Sequence, residues 1–396
     1  MKSIQDVNFK GKRVLMRVDF NVPIDENGKV TDDTRIRESI PSIQKIVNDG
    51  AKLILMSHLG RPKGKVNLSM SLEPVAEQLS KLMGKKVHFE RELISEQTIK
   101  EIEKLNWGSI MLLENIRFYA GEESGDEDFS SHLASLGDAY VNDAFGTAHR
   151  AHASTTIVAK YFPKDKYFGY LMNNEIVNLE KVLSSNIHPY TAIIGGSKVS
   201  TKIDIIRNLI GRVDNMIIGG GMVFTFIKAL GGNIGNSLFE EDKVEEARQT
   251  ILEMVAKGVN LILPADIVAA DKFANDANRQ IVAAGEIPDG WMGLDIGPKA
   301  IKKATEVILN SSMVLWNGPM GVFEMDNFQH GTRSVAIAVS AMTNAGGYSA
   351  IGGGDSVAAI NKYDLSTMMS YISTGGGAML EYLEGLKLPG IAAIEN

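Results

Sequence analysis

Short apolar runs alternate along the chain with longer segments whose apolar positions recur at helical spacing. The run Lys12-Arg13-Val14-Leu15-Met16-Arg17-Val18 predicts a buried strand that delivers Asp19 and Asn21 at its end, before Pro23. Thr34 to Val47 has helical spacing, with Pro41 expected early in the helix, where proline is tolerated. Strands are also predicted over 51–57, 109–115 and 138–143, and a helix over 72–83. The second half repeats the rhythm, with strands expected over 191–194, 215–218, 260–263, 312–316 and 348–351. Strands alternating with helices imply βαβ units and parallel sheets, hence an α/β fold.

The strand ends carry the polar residues. His58 and Arg61 follow the second strand, Arg117 the third, and His149 with Arg150 the fourth. A lone arginine is ordinarily a solvated charge, and a lone histidine ordinarily structural. Several placed just after consecutive βα strands share one rim, where open α/β sheets bind ligands. Guanidinium forks there suit carboxylate and phosphate oxygens, so a polyanion site is expected.

The composition then changes. No adjacent pair of glycines precedes Gly195, whereas several follow it. Glu175 to Leu183 has an apolar stripe at helical spacing and lies between the two regions. This predicts an N-terminal domain over 1–169, a linking helix over 170–185, a C-terminal domain over 186–377 and a tail over 378–396. In the second domain, Tyr348-Ser349-Ala350-Ile351-Gly352-Gly353-Gly354-Asp355-Ser356 reads as strand, tight turn and helix start. Glycines let backbone N–H groups approach a phosphate, and Asp355 would hold a Mg²⁺ riding on it. Lys198 and Lys202, four apart after Gly195-Gly196, would share a face if they lie on a helix, a repulsion that an anion would relieve. Asn317 and Glu324 flank a Gly-Pro turn, either meeting a sugar or base or forming a structural turn with a surface acid.

Charge and composition narrow the class. The chain has 396 residues, a net charge of −7 and no cysteine. Bulk nucleic-acid or anionic-membrane binding is disfavoured, and there is no thiol nucleophile or disulfide framework. A reducing cytoplasm fits, and the N-terminal residues show no signal-peptide core. Neither a Walker A loop nor a dinucleotide Gly-x-Gly-x-x-Gly is present.

Taken in order, Arg17 to Pro23, Ser57 to Pro62, Leu113 to Phe118, Val141 to His152, Gly195 to Lys202, Asp295 to Pro298, Trp316 to Glu324, Gly352 to Ser356 and Ser373 to Gly377 resemble the phosphoglycerate kinase family, of the bacterial type, over essentially the whole chain. The resemblance implies two Rossmann-like domains with parallel sheets facing a central cleft, joined by a hinge helix, with the last residues returning to the N-terminal domain. It implies that Asp19, Phe20, Asn21, Arg35, His58, Leu59, Gly60, Arg61, Arg117 and Arg150 hold 3-phosphoglycerate or 1,3-bisphosphoglycerate. Lys202, Gly293, Asn317, Glu324, Gly352, Gly353, Gly354, Asp355 and Ser356 are implied on the nucleotide, ADP or ATP, with Asp355 on Mg²⁺. Arg35 and Lys198 are the implied catalytic cations, joined by Lys202 at the transferring group. A cytoplasmic monomer in glycolysis is the family expectation. One departure is Ala300, where a hydroxyl residue is expected more often, which touches one helix cap or nucleotide contact.

The implied chemistry suits the residue types. A carboxylate acceptor is ionised at neutral pH, so the reaction needs no general base; it needs positioning, cations and exclusion of water. Hinge closure near 168–183, helped by 373–377, would supply that exclusion. A Rossmann-type nucleotide-dependent enzyme of another class, such as a dehydrogenase, is the competing enzymatic reading. A two-lobed ligand-binding protein is the non-enzymatic one.

Overall fold

The computed structural model describes residues 2–93 and 95–396. The chain divides into two units, the first made of residues 1–177 and 387–396, the second of residues 178–386.

The first unit begins with β1 (Arg13–Val18), α1 (Thr34–Asn48), β2 (Lys52–Met56), α2 (Glu73–Met83), β3 (Val87–Glu90) and α3 (Glu96–Lys104). There follow β4 (Ile110–Leu113), α4 (Ala120–Ser124), α5 (Glu127–Ser135), β5 (Ala139–Asp143), β6 (Lys166–Phe168) and α6 (Tyr170–Ser184), the last crossing into the second unit. The six strands form one parallel sheet in the order β3-β4-β2-β1-β5-β6. Its strands are apolar runs because helices cover both faces, so residues pointing either way are buried. Val14, Met16, Val18, Leu53, Leu55, Leu112 and Val141 pack with Ile36, Ile43 and Ile46 of α1. The chain proceeds to opposite sides from β1, which places the topological switch between β1 and β5.

Pro41 lies well inside α1 rather than in its first turn. The helix therefore lacks one backbone donor in its middle, a local cost offset by the buried apolar stripe around it.

The second unit contains β7 (Tyr190–Ile194), α7 (Ile203–Leu209), β8 (Asn215–Ile218), α8 (Val223–Ala229), β9 (Asn233–Ile234), α9 (Val244–Ala256) and β10 (Asn260–Ile262). Next come β11 (Asp266–Ala270), β12 (Arg279–Ala283), β13 (Glu286–Ile287), β14 (Met292–Ile296) and α10 (Pro298–Leu309). The unit closes with β15 (Met313–Asn317), α11 (His330–Asn344), β16 (Tyr348–Gly352), α12 (Gly354–Lys362), β17 (Tyr371–Ile372) and α13 (Gly377–Leu383). Its main sheet is again six-stranded and parallel, in the order β10-β8-β7-β15-β16-β17, with the switch between β7 and β15. Ile193, Val314, Trp316 and Ile351 form its core with Ala304, Val335 and Val339. An antiparallel sheet, β12-β11-β14, has its own small cluster of Ala270, Leu294 and Phe328.

Residues 378–386 belong to the second unit: α13 packs on α7, and Asn208 Nδ2 donates to the Leu383 carbonyl at 2.6 Å. The chain rejoins the first unit from Lys387, through α14 (Pro389–Glu395), where Gly390 N donates to Ala148 O and Ile394 is buried. Among the described residues, no helix is long and apolar enough to cross a membrane.

Candidate active site

In the first unit the loops at the carboxyl ends of β1, β2 and β4 are tied together by side chains. Arg35, on α1, donates to Asp19 Oδ2 at 2.9 Å. Asn21 Oδ1 accepts from Gly60 N at 2.9 Å, and Arg117 donates to the Gly60 carbonyl at 2.9 Å. Gly60 has φ of +63°, and a Cβ there would sit 2.9 Å from Met70 Sδ, so glycine is favoured at this crossing. Asn115, buried, holds the same loop through the carbonyls of Leu59 and Met70. Phe20 and Leu59 are buried apolar side chains, so any ligand contact they make is through backbone. Phe20 N already donates to Ser57 Oγ.

Arg61 and Arg150 differ from the rest of the rim. Both are exposed, and neither has a carboxylate partner among the described residues; Arg150 Nε reaches only His149 Nε2, at 3.2 Å. The neighbouring imidazoles register this cationic surplus. Burial first, then the charges of Arg17, Arg117 and Arg35, push His58 well below its ordinary pKa. His152 is pushed down to about 4 by burial, followed by Arg117, Arg17 and Arg150. Such a cluster repels further protons and favours an anion.

In the second unit the site is built from backbone and apolar side chains. A cavity of about 430 Å³ is walled by Gly220, Gly221, Phe224, Leu238, Phe273 and Pro319, with Gly293, Glu324 and Asp355 on the same lining. Asp355 stands in the first turn of α12, and both it and Glu324 are exposed. Asn317, at the end of β15, is fully buried: Nδ2 donates to Gly352 O at 2.9 Å, and Oδ1 accepts from Lys202 Nζ. Ser356 is also buried and accepts from Gly318 N at 2.6 Å. These two side chains are struts of the loop rather than part of the cavity wall. Gly353 has φ of +87°, and a Cβ there would lie 2.8 Å from Asn317 Nδ2. Burial lowers the pKa of Lys202, opposed by Asp355 and Glu384.

Lys198 and Lys202 do not share a helix. The helix α7 starts only at Ile203, because Glu240 captures the preceding loop through Ser200 N at 3.0 Å and Ser200 Oγ at 2.5 Å. Lys198 is left exposed, while Lys202 turns inward to Asn317. The departure at Ala300 has a simple resolution: Asp266 caps α10, accepting from Lys299 N at 3.1 Å and Ala300 N at 2.8 Å. Sequence reasoning missed Phe224, Leu238 and Phe273 of the cavity, which look like ordinary core residues in the chain. It also missed Arg17, Glu122 and Ser154 beneath the first rim.

Of the two α/β units, one thus carries a cationic rim at its sheet's switch point and the other a glycine-walled cavity at its own. The family model described as phosphoglycerate kinase matches residues 4–386. The chain is 50% identical to a phosphoglycerate kinase of Porphyromonas gingivalis, covering 100% of each. It is 51% identical to the cytosolic phosphoglycerate kinase 3 of Arabidopsis thaliana, over 100% of this chain and 98% of that protein. The solved phosphoglycerate kinase of Coxiella burnetii superposes with a TM-score of 0.90 at 40% identity, covering 99% of this chain and 98% of that one. The chain belongs to the phosphoglycerate kinase family and is a phosphotransferase with a carboxyl group as acceptor.

Proposed function

We propose that the first unit's rim holds phosphoglycerate, that the second unit's cavity holds ADP or ATP, and that the chain moves a phosphoryl group reversibly from 1,3-bisphosphoglycerate to ADP, giving 3-phosphoglycerate and ATP. The observation that carries this reading is the cavity, which gathers Gly293, Glu324 and Asp355 from separate segments onto one lining of nucleotide size. Phe224, Leu238 and Phe273 offer apolar surface to a base, and the turn into α12 offers backbone N–H groups to phosphate.

On the first unit, Arg61 and Arg150 supply guanidiniums with no carboxylate partner to leave among the described residues, so they suit a phosphate. Arg35 is already neutralised by Asp19 and must share or exchange that partner when a carboxylate or phosphoryl oxygen arrives. In the direction of ATP synthesis, a β-phosphate oxygen of ADP attacks the acyl phosphorus. The P–O bond to the acyl oxygen breaks, and its electron pair leaves on the 3-phosphoglycerate carboxylate. No proton need move, which agrees with a site of cations rather than of an acid–base pair. Arg35, Lys198 and Lys202 are the cations assigned to the phosphoryl oxygens, and Lys202 is held within its own unit by Asn317.

Among the described residues no cluster of three or more His, Asp or Glu side chains could cage a metal. Mg²⁺ is ordinarily bound through one or two carboxylates plus substrate phosphates and water; Asp355 is the residue that would hold it, and the ion would neutralise phosphate charge. A cytoplasmic location is part of the same reading, supported by the relative named as cytosolic, and a monomer is carried over from the family expectation.

The test is ATP formation from enzymatically generated 1,3-bisphosphoglycerate and ADP, read by a coupled assay. Turnover that is abolished by EDTA and restored by Mg²⁺ is expected. Absence of ATP with properly folded protein would overturn the proposal.

A further inference from the structure

Beneath the first unit's rim lies a buried chain of polar groups that the transfer chemistry does not use. Glu122, on α4, is fully buried and accepts from Ser154 twice, at Oε1 from Oγ at 2.7 Å and at Oε2 from the backbone N at 3.0 Å. Ser154 Oγ in turn accepts from Arg17 Nε at 2.8 Å. Arg17, on β1, is itself fully buried; Nη1 donates to the Val18 carbonyl, and Nη2 lies 3.0 Å from His58 Nδ1. Ser154 is further fixed by Tyr140, whose hydroxyl donates to its carbonyl at 2.8 Å.

A guanidinium has donors and no acceptor. The Arg17–His58 contact is therefore a hydrogen bond only if Nδ1 carries a lone pair. His58 Nε2 has no partner among the described residues. We infer that Glu122, Ser154 and Arg17 are positioning residues that hold His58 as the neutral Nε2–H tautomer, so that it meets the anionic substrate as a fixed hydrogen-bond donor and not as a cation. This inference rests on the proposed phosphoglycerate site.

The surroundings agree. The charged and titratable groups around His58 are Arg17, Arg117, Arg35 and His152, with Asp19 Oδ1 at 3.9 Å from Nδ1. Burial first, and then the arginines against that single carboxylate, oppose protonation of the ring. Burial raises the pKa of Glu122, opposed by Arg17 and by both Ser154 bonds. Removing either end leaves a buried charge without its partner.

The test uses the full-length protein with ¹⁵N-labelled histidine. Long-range ¹H–¹⁵N spectra distinguish a protonated from an unprotonated ring nitrogen. His58 is expected to show Nε2–H and a bare Nδ1 at neutral pH and to keep them below the value near 6.5 at which an unconstrained imidazole titrates. An Nδ1–H tautomer or an imidazolium at neutral pH in the wild type overturns the inference without any variant being needed. Ser154→Ala keeps both buried charges and removes only the link. It should give mixed His58 tautomers and raise KM for 3-phosphoglycerate about tenfold, the scale of one weakened hydrogen bond, with kcat within about twofold. A variant that melts earlier but keeps the wild-type tautomer and KM would show a merely structural role and overturn it. The free-enzyme spectrum requires no turnover, so its failure is distinct from a failure of the ATP assay.

Discussion

The two sheets solve one problem with different materials. Each is six-stranded and parallel, and each places its site at a switch point. The first unit builds its site from charged side chains, several already hydrogen-bonded to a carboxylate, carbonyl or hydroxyl: Arg35 to Asp19, Arg117 to Gly60, Arg17 to Ser154. The second builds with glycine backbone, apolar walls and two exposed acids. A small, highly charged ligand is best met by preorganised cations, because reorganisation is then small. A larger ligand with a flat base and a phosphate tail needs surface and backbone donors.

Substitutions should therefore fail differently in the two units. The largest effect is expected for Arg35→Ala, with kcat falling on the order of 10²-fold or more and little change in nucleotide KM. Lys198→Ala should slow turnover in the same direction. Steady-state kinetics at saturating substrates decide the matter; near-normal kcat in Arg35→Ala would remove it from the catalytic role. Next comes Gly353→Ala, which forces a side chain into a left-handed backbone 2.8 Å from Asn317. Strain of about 1–3 kcal/mol should appear as a KM for ADP raised roughly 10- to 100-fold, with phosphoglycerate binding intact. Glu324→Ala should raise nucleotide KM about tenfold, as for one lost hydrogen bond. An equal rise in phosphoglycerate KM would erase the contrast between the units.

The smallest effect concerns pH. His58 and His152 are depressed in the first unit, so their contribution to stability is present above the unfolded value near 6.5 and lost as pH falls, for His152 through about 4. Asp143 in the same unit and Asp295 in the second run oppositely. Burial raises both to about 7, and their contribution, present at low pH, is lost as pH rises through that value. Thermal melts of His152→Gln should therefore fall less steeply than wild type between about pH 6.5 and 4. Parallel curves would contradict the assigned environment of His152.

Much of this organisation is legible in the chain. Parallel strands buried on both faces read as apolar runs, and ligand loops follow their ends, so Asp19, His58, Arg61 and Gly352 to Asp355 stand out by position alone. What is not legible depends on closures between distant segments. Arg17 looks like a charge stranded in a strand until Ser154 and Glu122 arrive from far along the chain. Lys198 and Lys202 have helical spacing, but Glu240 holds Ser200 in the loop between them, and the helix starts only after both. Asn317 and Ser356 carry the atoms of ligand contacts yet satisfy Lys202, Gly352 and Gly318 internally. The strands β11, β12 and β14 pair antiparallel beside a small satellite core, and β12 is largely exposed, so their apolar pattern is weak.

The central claim is that each unit carries its own ligand. Hydrogen–deuterium exchange of the whole protein, with ADP alone and with 3-phosphoglycerate alone, tests it most directly. ADP should slow exchange at 219–224, 316–324 and 352–356, and 3-phosphoglycerate at 19–21, 58–61 and 115–118. Protection of the first set by 3-phosphoglycerate alone, or of the second by ADP alone, would contradict the account.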